Sequence, residues 1–139
     1  MNHFNQTYTI ILSETKSINP NSLTIAVDFD GTCVDHAYPE IGSSIGAEPV
    51  LKELVERGDR LILWTMRSGK TLDDAVKWFA DNGIELFGVN ENPEQDWSKS
   101  PKAHADMYID DLALGVPLVR KPGKRPYVDW EKVRKMILG

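Results

Sequence analysis

The chain has 139 residues, 41% of them hydrophobic and 27% charged, with a net charge of −5 at neutral pH. That length suits one domain with a sizeable core and is short for two. No apolar stretch reaches membrane-spanning length, the acidic balance argues against a nucleic-acid surface, and a single cysteine, Cys33, rules out an intramolecular disulfide.

Residues 1–21 are rich in Asn, Ser and Thr, and they are expected to form an N-terminal arm ahead of a single domain over residues 22–139. Leu23 to Val27 is an apolar, β-branched run of the kind buried on both faces in parallel sheets. It ends in two carboxylates one residue apart, Asp28 and Asp30, followed by Gly31 and Thr32. Two buried like charges need a cation or a shared proton to relieve them. An EF-hand loop counted from Asp28 fails, because its sixth and twelfth positions are Cys33 and Pro39 instead of Gly and Glu.

The loop from Cys33 to Gly46 is long for a strand-to-helix connection, and such loops often act as flaps. A helix is predicted from Pro49, with Val50, Leu51, Leu54 and Val55 on one face and Gly58 closing it. Arg60 to Trp64 reads as a second strand ending at Thr65. Leu72, Ala75, Val76, Phe79 and Ala80 then mark a helix that stops by Gly83. Ile84 to Val89 is expected to be a third strand, and a polar loop with Trp97 follows. A short helical segment is expected from Lys102, then a fourth strand, Met107 to Ile109, ending in Asp110 and Asp111. Pro117 to Val119 is a candidate short strand, and a last helix is expected from about Asp129 to Leu138. Strands alternating with helices predict a Rossmann-like three-layer α/β/α sandwich with a central parallel sheet. In such a sheet Asp28, Thr65 and Asp110, each at the downstream end of an apolar run, converge on one face.

Asp28-Phe29-Asp30-Gly31-Thr32, Leu63-Trp64-Thr65, Lys102 and Ile109-Asp110-Asp111, in that order, resemble the four motifs of the haloacid dehalogenase-like (HAD) superfamily over about residues 23–119. The gaps between motifs leave no room for a cap domain. The chain is in this respect similar to small uncharacterised bacterial and phage HAD-like phosphatases, and more loosely to polynucleotide 3′-phosphatase domains. The resemblance implies catalytic roles for Asp28 as nucleophile, Asp30 as acid and base, Thr65 as a phosphoryl-oxygen donor and Lys102 as the charge-neutralising lysine, with Lys99 its competitor. It implies Mg2+ held by Asp28, the backbone carbonyl of Asp30, and Asp110. Asp111 either orients a metal-bound water or caps a turn, and Arg67 either grips substrate phosphate with Thr65 and Lys102 or pairs at the surface.

The implied activity is phosphomonoester hydrolysis of a small phosphorylated metabolite or nucleotide in the cytoplasm, away from membranes, with Cys33 taking no part. A polynucleotide 3′-phosphatase and a catalytically weak phosphate- or partner-binding module on the same fold are the alternatives, and a homo-oligomer is compatible with an uncapped site. His36, Asn90, Trp97 and His104 sit on loops within reach of such a site. The basic cluster Arg120, Lys121, Lys124 and Arg125 reads as either a phosphate-attracting or a solvated surface.

Overall fold

The computed structural model describes residues 21–139, so the expected arm lies outside the described residues apart from its last position. Four parallel strands form the sheet in the order β3-β2-β1-β4: β1 (Thr24–Val27), β2 (Arg60–Leu63), β3 (Gly88–Val89) and β4 (Met107–Ile109). The central strand β1 is buried along its whole length, which explains why it carries no polar alternation. Helices α1 (Ala47–Glu56), α2 (Gly69–Asp81) and α3 (Trp130–Leu138) complete the α/β Rossmann-like sandwich.

The pleat sorts the sheet's side chains into two cores. Ile25, Val27, Leu61, Leu63, Val89 and Ile109 face the apolar stripes of all three helices, including Leu51 and Leu54 of α1 and Phe79 of α2. Ala26, Ile62 and Phe87 face the other way, against Ala103 and Ala105. No helix forms at Lys102. The segment between β3 and β4 lies over this second face as an irregular chain, its small alanines allowing the backbone to approach the sheet closely. Its backbone groups are satisfied by side chains instead: Gln95 brackets Lys102 and His104, and Asn92 Nδ2 donates to the His104 carbonyl at 3.0 Å.

Two further boundaries differ from expectation. Ile84, Leu86 and Phe87 are buried, but only Gly88 and Val89 pair with β2, because Ile84 N–H closes α2 by donating to Phe79. Ile84 and Leu86 reflect burial under the helices more than strand pairing, and Phe87 reflects burial on the second face. Leu118–Val119 (β5) pairs antiparallel with Tyr127–Val128 (β6), a strand the sequence did not suggest. Its Val128 N–H donates to the Gly31 carbonyl at 3.0 Å, so the hairpin is pinned beneath the acidic turn. Asp129 caps α3 by accepting from Lys132 N–H.

Register aligns the strand ends. Val27 pairs with both Leu63 and Ile109. The ladder continues one step beyond each strand, with Asp28 N–H donating to Ile109, Trp64 N–H to Val27 and Asn90 N–H to Leu63. Asp28, Trp64, Asn90 and Asp110 therefore stand in one row along the carboxyl edge of the sheet.

Candidate functional site

That row lines an open cavity of about 980 Å³, joined by Asp30, His36, Tyr38, Thr65, Met66, Arg67, Asp111, Leu112 and Arg125. Asp28, Asp110 and Asp111 each bring a carboxylate oxygen within 4.8 Å of the others. Burial, reinforced by the charge of Asp110, pushes the Asp28 carboxyl up to about 8 from an ordinary 3.8. Burial also raises Asp110. Among the described residues no lysine or arginine is bonded to any of the cluster's three carboxylates, and the chemistry of its donors, all hard oxygens, fits a small divalent cation.

Thr32, part of the acidic motif but with no role foreseen, organises this cluster. Its hydroxyl lies 2.9 Å from Asp28 Oδ2 and 3.3 Å from Asp111 Oδ1, and its Oγ1 accepts the Asp111 backbone N–H at 3.0 Å. A hydroxyl has one proton, and the shorter distance gives it to Asp28. The Thr32 carbonyl is in turn held by Trp130 Nε1 at 2.6 Å, so the first residue of α3 braces the site. Asp111 is buried and lies 3.2 Å from His36 Nε2, which also approaches the Pro126 carbonyl. His36, read from the sequence only as a loop residue within reach, belongs to the site. Fully buried Cys33 has its thiol pushed up by burial and donates to the Asp28 carbonyl, which agrees with its having no reactive role.

Gly31 makes this packing possible. Its φ of +80° suits glycine, and a Cβ there would meet the His36 ring and come within 2.6 Å of Asp111 Oδ2. Gly31→Ala is expected to destabilise the fold by on the order of 2–4 kcal/mol, combining left-handed strain with a broken His36–Asp111 contact. Thermal unfolding checks this, and a loss below about 1 kcal/mol would mean the turn relaxes freely.

The expected site residues are not all brought together. Thr65 lines the cavity, its N–H capped by Asn90 Oδ1 at 2.8 Å and its Oγ1 accepting from Arg67 N–H at 3.1 Å. Asn90 manages this from a left-handed conformation, φ 55°, which asparagine tolerates. Lys102 is exposed and outside the cavity, its Nζ 5.5 Å from the Tyr108 ring centroid on the second face of the sheet. Lys99 is outside too. Of the basic cluster, Arg125 alone reaches the cavity wall. Trp97 stacks edge-on against His104 and does not line the cavity; the aromatic contributed by the loops is Tyr38.

Arg67 is neither a free phosphate grip nor a surface ion pair. It is 3% exposed and clasps Asp30 with both ends of its fork, at 2.8 and 2.7 Å. The bond to Asp30 raises the arginine's pKa further above its ordinary value. With both oxygens of Asp30 so engaged, the Asp30 side chain has no place in the carboxylate cluster, and any contribution to a cation falls to its backbone carbonyl.

No protein-family model and no curated protein matches the chain. The chain is 43% identical to a conserved protein of Bacteroides thetaiotaomicron whose structure is solved, over 84% of this chain and 90% of that one, with a TM-score of 0.67. It belongs to the same family as that protein. No helix among the described residues is long and apolar enough to cross a membrane.

Proposed function

We propose that this protein is a Mg2+-dependent phosphomonoester hydrolase of the HAD type, working through an aspartyl-phosphate on Asp28. The observation that carries the reading is the convergence of three carboxylates within 4.8 Å, with Asp30 and Thr65 beside them in one open cavity. Asp28 and Asp110, with the Asp30 carbonyl, would hold the cation, while Asp111 stays tied to Thr32 and His36. Bound there, Mg2+ supplies positive charge that favours the Asp28 carboxylate and offsets its repulsion of an anionic substrate.

The chain's own groups supply the rest. An Asp28 oxygen attacks phosphorus as the bond from phosphorus to the ester oxygen breaks, and Asp30, paired with Arg67 as a carboxylate, takes up a proton from solvent and passes it to that departing oxygen. Asp30, now a carboxylate, takes a proton from the water that attacks the phosphorus of the aspartyl-phosphate. The acyl-phosphate bond breaks, returning the Asp28 carboxylate and releasing inorganic phosphate. Thr65, whose oxygen accepts from Arg67 N–H, keeps its own proton for a phosphoryl oxygen. The charge that the resemblance assigns to Lys102 is assigned instead to Arg125, the exposed cation on the cavity wall. Among the described residues, four carboxylates share the cavity with one uncommitted arginine, a balance that disfavours a polyanion and supports a small phosphorylated metabolite or nucleotide over a polynucleotide end.

Purified protein is tested with a generic aryl phosphate, a mononucleotide and a 3′-phosphorylated oligonucleotide at matched phosphate ends, with and without Mg2+. Slow Mg2+-dependent phosphate release is expected, with no advantage for the oligonucleotide. Release from none of them would leave the phosphate-binding module. In the same assay Arg125→Ala is expected to raise KM about tenfold, the worth of one charge-assisted contact, and Lys102→Ala to change kcat/KM by less than about twofold. The opposite pattern would return the charge role to Lys102.

A further inference from the structure

Arg67 holds more bonds than an ion pair needs. Its guanidinium has five N–H groups, and all five are spent. Nε and one Nη2 proton go to the two oxygens of Asp30; the other Nη2 proton goes to the Glu40 carbonyl at 2.7 Å; Nη1 donates to the carbonyls of Pro39 and Thr71 at 3.2 and 3.1 Å. Two aromatic rings pack against the guanidinium as well: the centroid of Phe29, from the core, lies 5.0 Å from its carbon, and that of Tyr38, from the loop, 5.1 Å. One side chain thus joins the carboxyl end of β1, the 33–46 loop and the start of α2. It has no donor left for a ligand, although it borders the cavity.

Resting on the hydrolase reading above, we propose that Arg67 is a positioning residue: it fixes the carboxylate of Asp30 against the reacting centre, ties the loop bearing Tyr38 to the same carboxylate, and never touches the substrate's phosphate. Asp30 must meet two different oxygens in turn, the departing ester oxygen and the incoming water. A carboxyl free to rotate about its side-chain bonds spends little time aimed at either. The bidentate fork removes that freedom, while 21% of the Asp30 side chain stays exposed to the cavity. A lysine in place of Arg67 keeps the charge and loses the fork.

The consequence is a kinetic split that depends on the leaving group. An alkyl phosphate needs a proton on its leaving oxygen, whereas a dinitrophenyl phosphate does not. Arg67→Lys and Arg67→Gln are expected to lower kcat on an alkyl phosphate by about 10²-fold, the usual worth of a well-placed acid or base, without raising KM. On dinitrophenyl phosphate the first burst of phenolate survives and the turnover after it slows, because water attack still needs Asp30. Adding Asp30→Asn to either variant brings little further loss, as for residues acting as one unit. A raised KM at unchanged kcat, or full additivity with Asp30→Asn, would overturn the proposal.

The wild-type protein offers a check that does not depend on a variant folding. Phenylglyoxal attacks accessible guanidinium groups, and peptide mass mapping is expected to find Arg125 modified, less so when inorganic phosphate is present, and Arg67 untouched with or without it. Modification of Arg67 that phosphate prevents would make it a ligand-binding residue. Wild-type protein that turns over none of these substrates in Mg2+ would defeat the hydrolase reading itself, a result distinct from either of these.

Discussion

Asp28→Asn is expected to abolish phosphate release, by a factor of about 10⁴ or more, and to make the metal-free protein more stable. The two effects have one origin. Asparagine is nearly the same shape and keeps an oxygen for the Thr32 hydroxyl, 2.9 Å from Asp28 in the native site, so the packing survives while the nucleophile is gone. What is removed is a buried carboxyl beside Asp110 and Asp111, held protonated up to about pH 8 against an ordinary 3.8. A group raised in the folded state supports the fold most fully below its unfolded value, and that support is lost as pH climbs through the folded one. Metal-free wild-type protein is therefore expected to melt at progressively lower temperature from about pH 4 to about pH 8. In Asp28→Asn this decline is much shallower, with a remainder from Asp110, which is also raised. Scanning calorimetry across that range, with phosphate release measured on the same samples, checks both. Retained turnover would remove Asp28 from the chemistry, and an unchanged slope would remove it from the electrostatics.

Asp28, Thr65, Asp110 and the parallel sheet behind them were legible because each follows an apolar run that the sheet buries, and strand register then carries them to one edge. That inference needs only local pattern. Arg67 shows where such reading stops. Its partners are Asp30, Pro39, Glu40 and Thr71, and the path through them crosses a loop whose course no periodicity encodes. Sequence spacing put an arginine two residues past Thr65, correctly near the cavity, but not that every donor is used within the protein. The Lys102 expectation met the same limit. A helix was assumed between β3 and β4, and the chain instead lays an alanine-bearing segment across the sheet, leaving the lysine over Tyr108. The part played by Trp130 has no sequence signal of its own, and Thr32 offers only a weak one, a hydroxyl four residues from the first carboxylate in the motif itself. His36 reads only as a loop residue within reach. These contacts exist only once α3 and the β5–β6 hairpin fold back beneath the acidic turn.

Mg2+ is expected to raise the melting temperature of the wild-type protein by roughly 10 °C at a hundredfold excess over its Kd, equivalent to about 2.7 kcal/mol of mass-action stabilisation. The response has a charge origin that can be separated from generic salt effects. At pH 7 the metal-free Asp28 carboxyl is largely protonated, its pKa being pushed up to about 8, so cation binding must expel a proton. Titration calorimetry in buffers of different ionisation enthalpy is expected to show close to one proton released per Mg2+ in wild type and almost none in Asp28→Asn. Asp110→Ala is expected to lose most of the thermal response, since it removes one of the two carboxylates at neighbouring strand ends. Asp111→Asn distinguishes the two ways the cluster can bind. Asp111 is already engaged by Thr32 and His36, so its loss is expected to weaken Mg2+ modestly, while Asp110 carries the affinity. Equal Mg2+ binding to wild type and Asp110→Ala would reject the ligand set. A larger loss in Asp111→Asn than in Asp110→Ala would move the cation inward, toward the three-carboxylate centre and away from the cavity where the phosphate must lie.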